Sequence, residues 1–343
     1  MMRPRGPACH RFAGSAPACN ALSPRDPTLL QTPGNRRQPG VTRQVAVGAA
    51  AYTRPVPELP EVEALALDLK GRLDGHAVAK VHVAAFSALK TFDPPLSALE
   101  GTLVDDVTRH GKFLDLEASG LHLVLHLARA GWVRWRDEVP TIPPKPSTKS
   151  TLAVRVVLDD QSGLDITEAG TRKSLAMYVV RDPLDVPGIA SLGPDPLTDE
   201  FTIERFREIL EREGRKQLKG VLRHQGTIAG IGNAYSDEIL HAARMSPFKP
   251  AGTLTDDELH ILYDALRTTL GDAVDRSRGL AASELKGEKK SNLAVHGRTG
   301  QPCPVCGDTV REVSFADSSL QYCPTCQTGG KPLADRRLSK LLK

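Results

Sequence analysis

The chain has 343 residues, 40% apolar and 25% charged with 4% aromatic, enough for two or three soluble domains; this excludes a collagen, a disulfide mini-protein and a mostly disordered chain. No run of about 18 uncharged apolar residues is present, so nothing reads as a membrane span. The formal charge of +4 is unevenly spread: residues 1–56 hold eight Arg and one acid (Asp26), residues 286–343 hold ten basic and five acidic side chains, and the middle carries −8. A polyanion would therefore be met by local patches.

In chain order, residues 1–56 are rich in Arg, Pro, Ala and Gly, lack Lys, and show no apolar period. Prolines at 4, 7, 17, 24, 27, 33 and 39 interrupt the amphipathic helix of a transit peptide, and Val45–Ala51 is too short for a secretory signal. The expectation is an extension that is not part of the working protein. Leu59, Val62, Leu65, Ala66, Leu69 and Leu73 then recur at helical spacing and predict a helix after Pro57-Glu58. Strand-like runs follow at 77–83, 103–109, 113–117, 121–127, 152–158 and 175–180, with a Pro-rich loop at 140–149. One leading helix and many short strands predict a two-layer β-sandwich over 57–190.

From Leu192 the texture changes to LGPDPLTDEF and then to helical patterning at 201–212, 217–223, 233–243 and 255–278. These predict a helical domain over 191–285. A Gly- and Lys-rich segment, 287–292, leads into a Cys-rich module at 286–330 and a basic tail at 331–343. The expected class is α+β, multidomain.

Cys303-Pro-Val-Cys306 and Cys323-Pro-Thr-Cys326 are separated by sixteen residues. Two thiolates from each of two tight turns suit tetrahedral Zn2+ at about 2.3 Å per sulfur, and four thiolates fill the sphere, so the predicted metal is structural. This usage fits a reducing compartment better than a disulfide framework. Gly230-Ile231-Gly232-Asn233 lies between helical segments, which argues against a dinucleotide fingerprint. The reading is a tight turn with Asn233 capping the second helix and leaving N–H groups for a phosphate, or a plain helix connection. Pro57-Glu58-Leu59-Pro60-Glu61-Val62-Glu63, taken alone, is an acidic helix start.

Taken together, PELPEVE (57–63), RHGKFLDLE (109–117), LGPDPLTDEF (192–201), QLKGVLRHQGTIAGIGNAYSDEIL (217–240), HGRTGQPCPVC (296–306) and QYCPTC (321–326) resemble the formamidopyrimidine-DNA glycosylase and endonuclease VIII family, in order, from Pro57 to Cys326. The resemblance implies a β-sandwich with a leading helix, a helix-two-turn-helix domain and a zinc ribbon. It further implies a bifunctional glycosylase and abasic-site lyase that acts as a monomer on double-stranded DNA with a damaged base or abasic site, in a bacterial cytoplasm. By resemblance, Pro57 is the amine nucleophile, Glu58 the acid that protonates the sugar ring oxygen, and Glu61 the second acidic position. Lys112 contacts DNA near the lesion, Lys219 and Asn233 clamp phosphate, Arg298 belongs to the DNA-binding set, and Cys303, Cys306, Cys323 and Cys326 hold structural Zn2+.

A proline amide has no nucleophilic lone pair, so this chemistry requires residues 1–56 to be absent. Initiation at the position of Val56 would yield Met-Pro and then a free Pro57, a chain of 287 residues. Otherwise the amine is blocked, and the alternative is a non-catalytic damaged-DNA-binding protein. The sequence also departs from the family. HLARAGW places Arg129 and Ala130 where a gap-filling Met is usual, TEAGTRKSL offers Arg172 and Lys173 but no Phe, and Ser318 stands where an Arg commonly precedes the third Cys. The expected wedge is Arg129, and the ribbon's phosphate contacts are expected to be weaker or to come from Arg311. These departures leave open whether the lesion is an oxidised purine, an oxidised pyrimidine or a bare abasic site.

Overall fold

The computed structural model describes residues 56–147, 150–170, 172–315 and 318–334, all within one compact unit that begins at Tyr52. The expectations for the Arg-rich extension and for the end of the basic tail lie outside the described residues.

Helix α1 (Leu59–Leu73) forms where predicted. Pro60 in its first turn costs no hydrogen bond there, and the Glu61 carboxylate turns back to accept the Glu58 N–H at 2.8 Å. Its apolar stripe divides between two cores. Leu65, Leu69 and Leu73 enter the sandwich core, whereas Leu59 enters the core of the helical region. Each fully buried Leu contributes roughly 2 kcal/mol of transfer free energy, so the helix start is pinned at the seam between the two regions.

Two four-stranded antiparallel sheets follow. One has the order β1 (Val78–Val83), β6 (Leu152–Leu158), β7 (Gly163–Glu168), β5 (Gly131–Arg136). The other runs β2 (Val104–His110), β3 (Phe113–Ala118), β4 (Leu121–His126), β8 (Ala176–Val180). Leu114, Leu116, Leu123 and Leu125 meet Val133, Val154, Val156, Leu164 and Ile166 in the core between them. β5 and β7 go beyond the six strands predicted. Their charges hide the apolar period: Asp165 on β7 is buried and accepts from Arg155 at 2.7 Å and Arg136 at 2.9 Å, so a pair of strands with polar letters still satisfies a sheet.

After the short α2 (Pro187–Ala190), the helical region contains α3 (Ile203–Glu213), α4 (Leu218–Arg223), α5 (Asn233–Ala242) and α6 (Asp256–Ser277). Thr255 and Glu258 close a capping box on α6. The Gly- and Lys-rich segment is itself helical: α7 (Leu285–Asn292) buries Leu285 in the sandwich core and ties to α6 through Arg276 and Glu288 at 2.8 Å. Trp132 on β5 donates to the Ala282 carbonyl at 2.8 Å, fixing the approach to α7. The ribbon is β9 (Arg311–Ser314), β10 (Ser319–Tyr322) and α8 (Pro324–Thr328). The chain is thus a mixed α+β fold with sandwich, helical region and ribbon. No described helix is long and apolar enough to cross a membrane.

Candidate active site at the start of the leading helix

The site is built around the N-terminus of α5. The loop over residues 224–232 reaches it from α4, and two glycines make the approach possible. Gly230 has φ +84, and a Cβ there would meet Leu59 at 2.6 Å. A Cβ on Gly232 would lie 2.3 Å from the Glu58 carboxyl carbon. Glu58 and Leu59 therefore dock on the loop backbone itself, with the Leu59 N–H donating to the Gly230 carbonyl at 3.0 Å.

Glu58 is buried and its carboxylate caps α5 from another part of the chain. It accepts the N–H groups of Gly232 at 2.6 Å, Ala234 at 2.9 Å and Tyr235 at 3.2 Å. An anion at a helix N-terminus is the favourable arrangement for both hydrogen bonds and dipole. Burial alone would raise its pKa; the cations Lys289 and Lys112 and the Ala234 N–H outweigh burial and hold it at about 2. This corrects the expectation for Asn233. The N-cap of α5 is Gly232, Asn233 is the first helical residue, and Glu58 supplies the cap.

Glu61 lies alongside, also buried, and accepts from the Tyr235 hydroxyl at 2.7 Å and from Lys289 Nζ at 2.7 Å. Burial pushes the Glu61 carboxyl up against the pull of Lys289. Burial would lower Lys289, yet the Glu58 and Glu61 carboxylates raise it instead. Three donors converging on the Glu61 carboxylate, with a 2.7 Å approach from the ammonium, are the geometry of an ion pair, and we take both groups as charged. Burial, with Glu61 next, pushes the Tyr235 hydroxyl far up, so it remains a donor.

Pro57 is buried at this corner, and the preceding Val56 carbonyl accepts from Lys289 Nζ at 3.0 Å. Lys112 sits at the tight β2–β3 turn, half-buried. Burial and the nearby Lys289 and Arg223 lower its pKa despite Glu58. His126, at the end of β4, stacks against Phe113 with ring centroids 4.7 Å apart and is lowered by burial and by Lys112.

The other expected residues are distributed as follows. Arg129 is exposed in the turn between β4 and β5. Arg298 is half-buried and donates to Gln301 at 3.2 Å and the Leu293 carbonyl at 3.3 Å. Asn233 donates its Nδ2 to the Ser319 carbonyl of the ribbon at 2.8 Å. Lys219 departs from the expectation of a free phosphate clamp. Its side chain is buried, and Nζ donates to Asp237 at 2.6 Å, Ser236 at 2.9 Å and the Asn233 carbonyl at 3.1 Å. An ammonium has three protons, and here all three are used inside the protein.

Cys303, Cys306, Cys323 and Cys326 bring four sulfurs within 4.8 Å of one another, with Cys306–Cys323 at 3.3 Å and Cys303–Cys326 at 3.9 Å. Four thiolates in this cradle fit a tetrahedral ion, and His241 Nε2 approaches Cys303 Sγ at 3.3 Å as an orienting partner. The ribbon docks on α5 through the next turn. Asp237 accepts from His296 at 2.8 Å and the Gln321 N–H at 3.2 Å, while Glu238 accepts the N–H groups of Ala294, Val295 and His296.

Sequence reasoning missed Lys289, Tyr235, Gly232 as a seat, and His126. Lys289 lies in a segment whose sequence reads only as Gly- and Lys-rich; a Lys four residues from the buried Leu285 on one helical face was the available signal.

Three family models match the chain: the formamidopyrimidine-DNA glycosylase N-terminal domain over residues 56–177, its H2TH domain over 192–284, and a zinc finger found in FPG and IleRS over 300–329. An uncharacterized formamidopyrimidine-DNA glycosylase-like protein of Mycobacterium tuberculosis is 60% identical over 157 residues, 46% of this chain and 98% of its own length. The formamidopyrimidine-DNA glycosylase of Symbiobacterium thermophilum is 35% identical over 295 residues, 82% of this chain and 93% of that protein. The Lactococcus lactis Fpg in complex with DNA containing an abasic site superposes with a TM-score of 0.69 at 26% identity, covering 79% of this chain and 99% of the other. With the sandwich, the helical region and the four-Cys ribbon all in register with these relatives, the chain belongs to the formamidopyrimidine-DNA glycosylase family.

Proposed function

We propose that the chain is a base-excision DNA glycosylase with abasic-site lyase activity, whose nucleophile is the Pro57 amine in the form of the chain that begins at Pro57. The observation that carries this reading is the burial of Pro57 beside two buried carboxylates and two lysines, on the capped N-terminus of α5.

The neutral amine attacks C1′ of the damaged nucleotide, forming a C–N bond as the glycosidic electron pair leaves with the base. Glu58 enters as a carboxylate, takes the proton released from the amine, and passes it to the ring oxygen as the C1′–O bond breaks. A secondary amine gives an iminium that cannot lose its charge by N-deprotonation, so it accepts electrons for β- and then δ-elimination of the phosphates. Glu58 and Glu61 lie where that positive charge develops. The target nucleotide must leave the duplex stack, at a cost of a few kcal/mol. Lys112 and Arg129 are the proposed DNA contacts around it, with Arg298 and Asn233 near the ribbon, while Lys219 positions α5. The four cysteines hold structural Zn2+, which keeps the ribbon on α5.

A second reading is a damaged-DNA binder with a blocked amine. Lys289 favours it by holding the Val56 carbonyl at 3.0 Å, so the acylated form of Pro57 is well accommodated. Incubation with an abasic-site duplex separates the two: the chain beginning at Pro57 is expected to nick the strand and leave phosphate at both ends. Specific binding without nicking by that form overturns the lyase reading and supports the second.

A further inference from the structure

Lys289 is buried, lies on α7, and reaches the helix start 228 residues away to pair with Glu61. Its ammonium is 2.7 Å from Glu61 Oε2, 3.8 Å from Glu58 Oε1, 3.0 Å from the Val56 carbonyl oxygen, and 4.6 Å from the Tyr235 ring centre. The Val56 oxygen is joined to Pro57 N through one C=O and one C–N bond of 1.23 and 1.33 Å, which places Pro57 N within about 5.6 Å of Lys289 Nζ. In a chain that begins at Pro57 the Val56 carbonyl is gone. The ammonium then faces the amine with one donor released.

We infer that Lys289 is a positioning residue for the Pro57 amine, a fixed cation that disfavours its protonation and so keeps it nucleophilic near neutral pH. The inference rests on Pro57 being the nucleophile. A free α-amine titrates near roughly 7.7 to 8.0, so without help about nine in ten are protonated at pH 7. Two buried carboxylates beside it would make matters worse by favouring the ammonium form.

Every packed element contributes a charged or titratable group here. Glu58 and Glu61 come from the α1 start, Lys112 from the β2–β3 turn with Arg223 of α4 behind it, and Tyr235 from α5. Glu288 and Lys289 come from α7, and His296 from the segment after it. Two anions and two cations stand closest, so the cluster is balanced only while Lys289 is present. Removing its charge leaves a net negative corner, and a proton on Pro57 is then the nearest way to neutralise it. A change of one unit charge within about 4–6 Å moves a titration by one unit or more.

Competitive acetylation with acetic anhydride, read by mass spectrometry on the N-terminal peptide, titrates the amine directly. It uses the chain beginning at Pro57, which retains both cores, the ribbon and the corner of the compact unit. Lys289→Met is expected to move the midpoint of the Pro57 amine up by about one pH unit, cutting reactivity at pH 7 about tenfold. Lys289→Gln, which keeps a donor for Glu61, is expected to show the same shift and covers the case in which the Met variant does not fold. Lys289→Arg restores the wild-type midpoint. An unchanged midpoint in the folded Gln or Met variant overturns the inference. Borohydride trapping on abasic DNA, run in parallel, keeps the two claims apart. A wild-type amine that titrates as expected but forms no adduct defeats the lyase reading and leaves the role of Lys289 standing.

Discussion

Two sites dock on α5, and they are built in opposite ways. The ribbon draws its four thiols from residues 303–326, within reach of one hairpin, in a cradle that fits one metal ion. The corner at the α5 N-terminus draws Glu58 and Glu61 from α1, Gly230 and Gly232 from a loop, Tyr235 from α5 and Lys289 from α7, and balances its charge internally. A local site folds with its own segment. A dispersed one exists only when sandwich, helical region and α7 have all packed, so the reacting groups depend on everything else.

That contrast can be broken first at Glu58. Glu58→Gln removes the anionic charge from the cap of α5 and leaves Glu61 as the one carboxylate facing Lys289 and Lys112, a loss of about 3–5 kcal/mol when one partner of a buried pair is removed. Trapping on abasic DNA should fall at least about 100-fold, measured in single turnover. A loss of only a few-fold would mean that the corner does not need its carboxylate. The same group predicts a pH limb. Its folded pKa of about 2 lies below the ordinary 4.5, so its stabilisation is present above pH 4.5 and is lost as pH falls toward 2. Urea midpoints measured against pH should show this fall in the wild type, and it should be absent in Glu58→Gln.

The ribbon side is tested by Cys303→Ser. Bound zinc, read by atomic absorption, should be lost, and DNA affinity should drop by at least about tenfold, while sandwich unfolding is little changed. If that variant instead unfolded the whole unit at once, the division into a local and a dispersed site would fail. Gly232→Ala is a smaller probe of the corner. Its Cβ would sit 2.3 Å from the Glu58 carboxyl, so about 1–3 kcal/mol of overpacking and a clear fall in trapping are expected, with zinc content intact. The smallest effect belongs to exposed Arg129: Arg129→Ala should weaken lesion-DNA binding a few-fold and leave stability unchanged.

The local site was legible in the sequence because the CxxC spacing is itself the geometry of the metal cradle. The leading helix and six of the strands were legible for the same reason, since apolar periods of 3.6 and 2 are local. β5 and β7 were not, because Arg136 of β5 and the buried Asp165 of β7 find their partners, each other and Arg155 of β6, only after the strands pair. Glu58 and Glu61 could be named from PELPE by resemblance, yet their state could not. Nothing near position 58 says that three N–H groups from α5 and a lysine from α7 hold it ionised. The GIGN turn was read with Asn233 as its cap, whereas the cap arrives from a residue 174 positions from Gly232. Lys219 shows the reverse error, where a lysine matching a clamp position is consumed by Asp237 on the next helix.

The central claim is that the Pro57 amine, seated in this corner, carries the covalent chemistry. Peptide mapping of the borohydride-reduced adduct with abasic DNA tests it directly. The account predicts that the sugar remnant lies on Pro57 itself, within the tryptic peptide ending at Lys70, and that a chain with the Val56–Pro57 peptide bond intact yields no adduct. An adduct mapped instead to Lys112 or Lys289, or equal trapping by the intact chain, would contradict it.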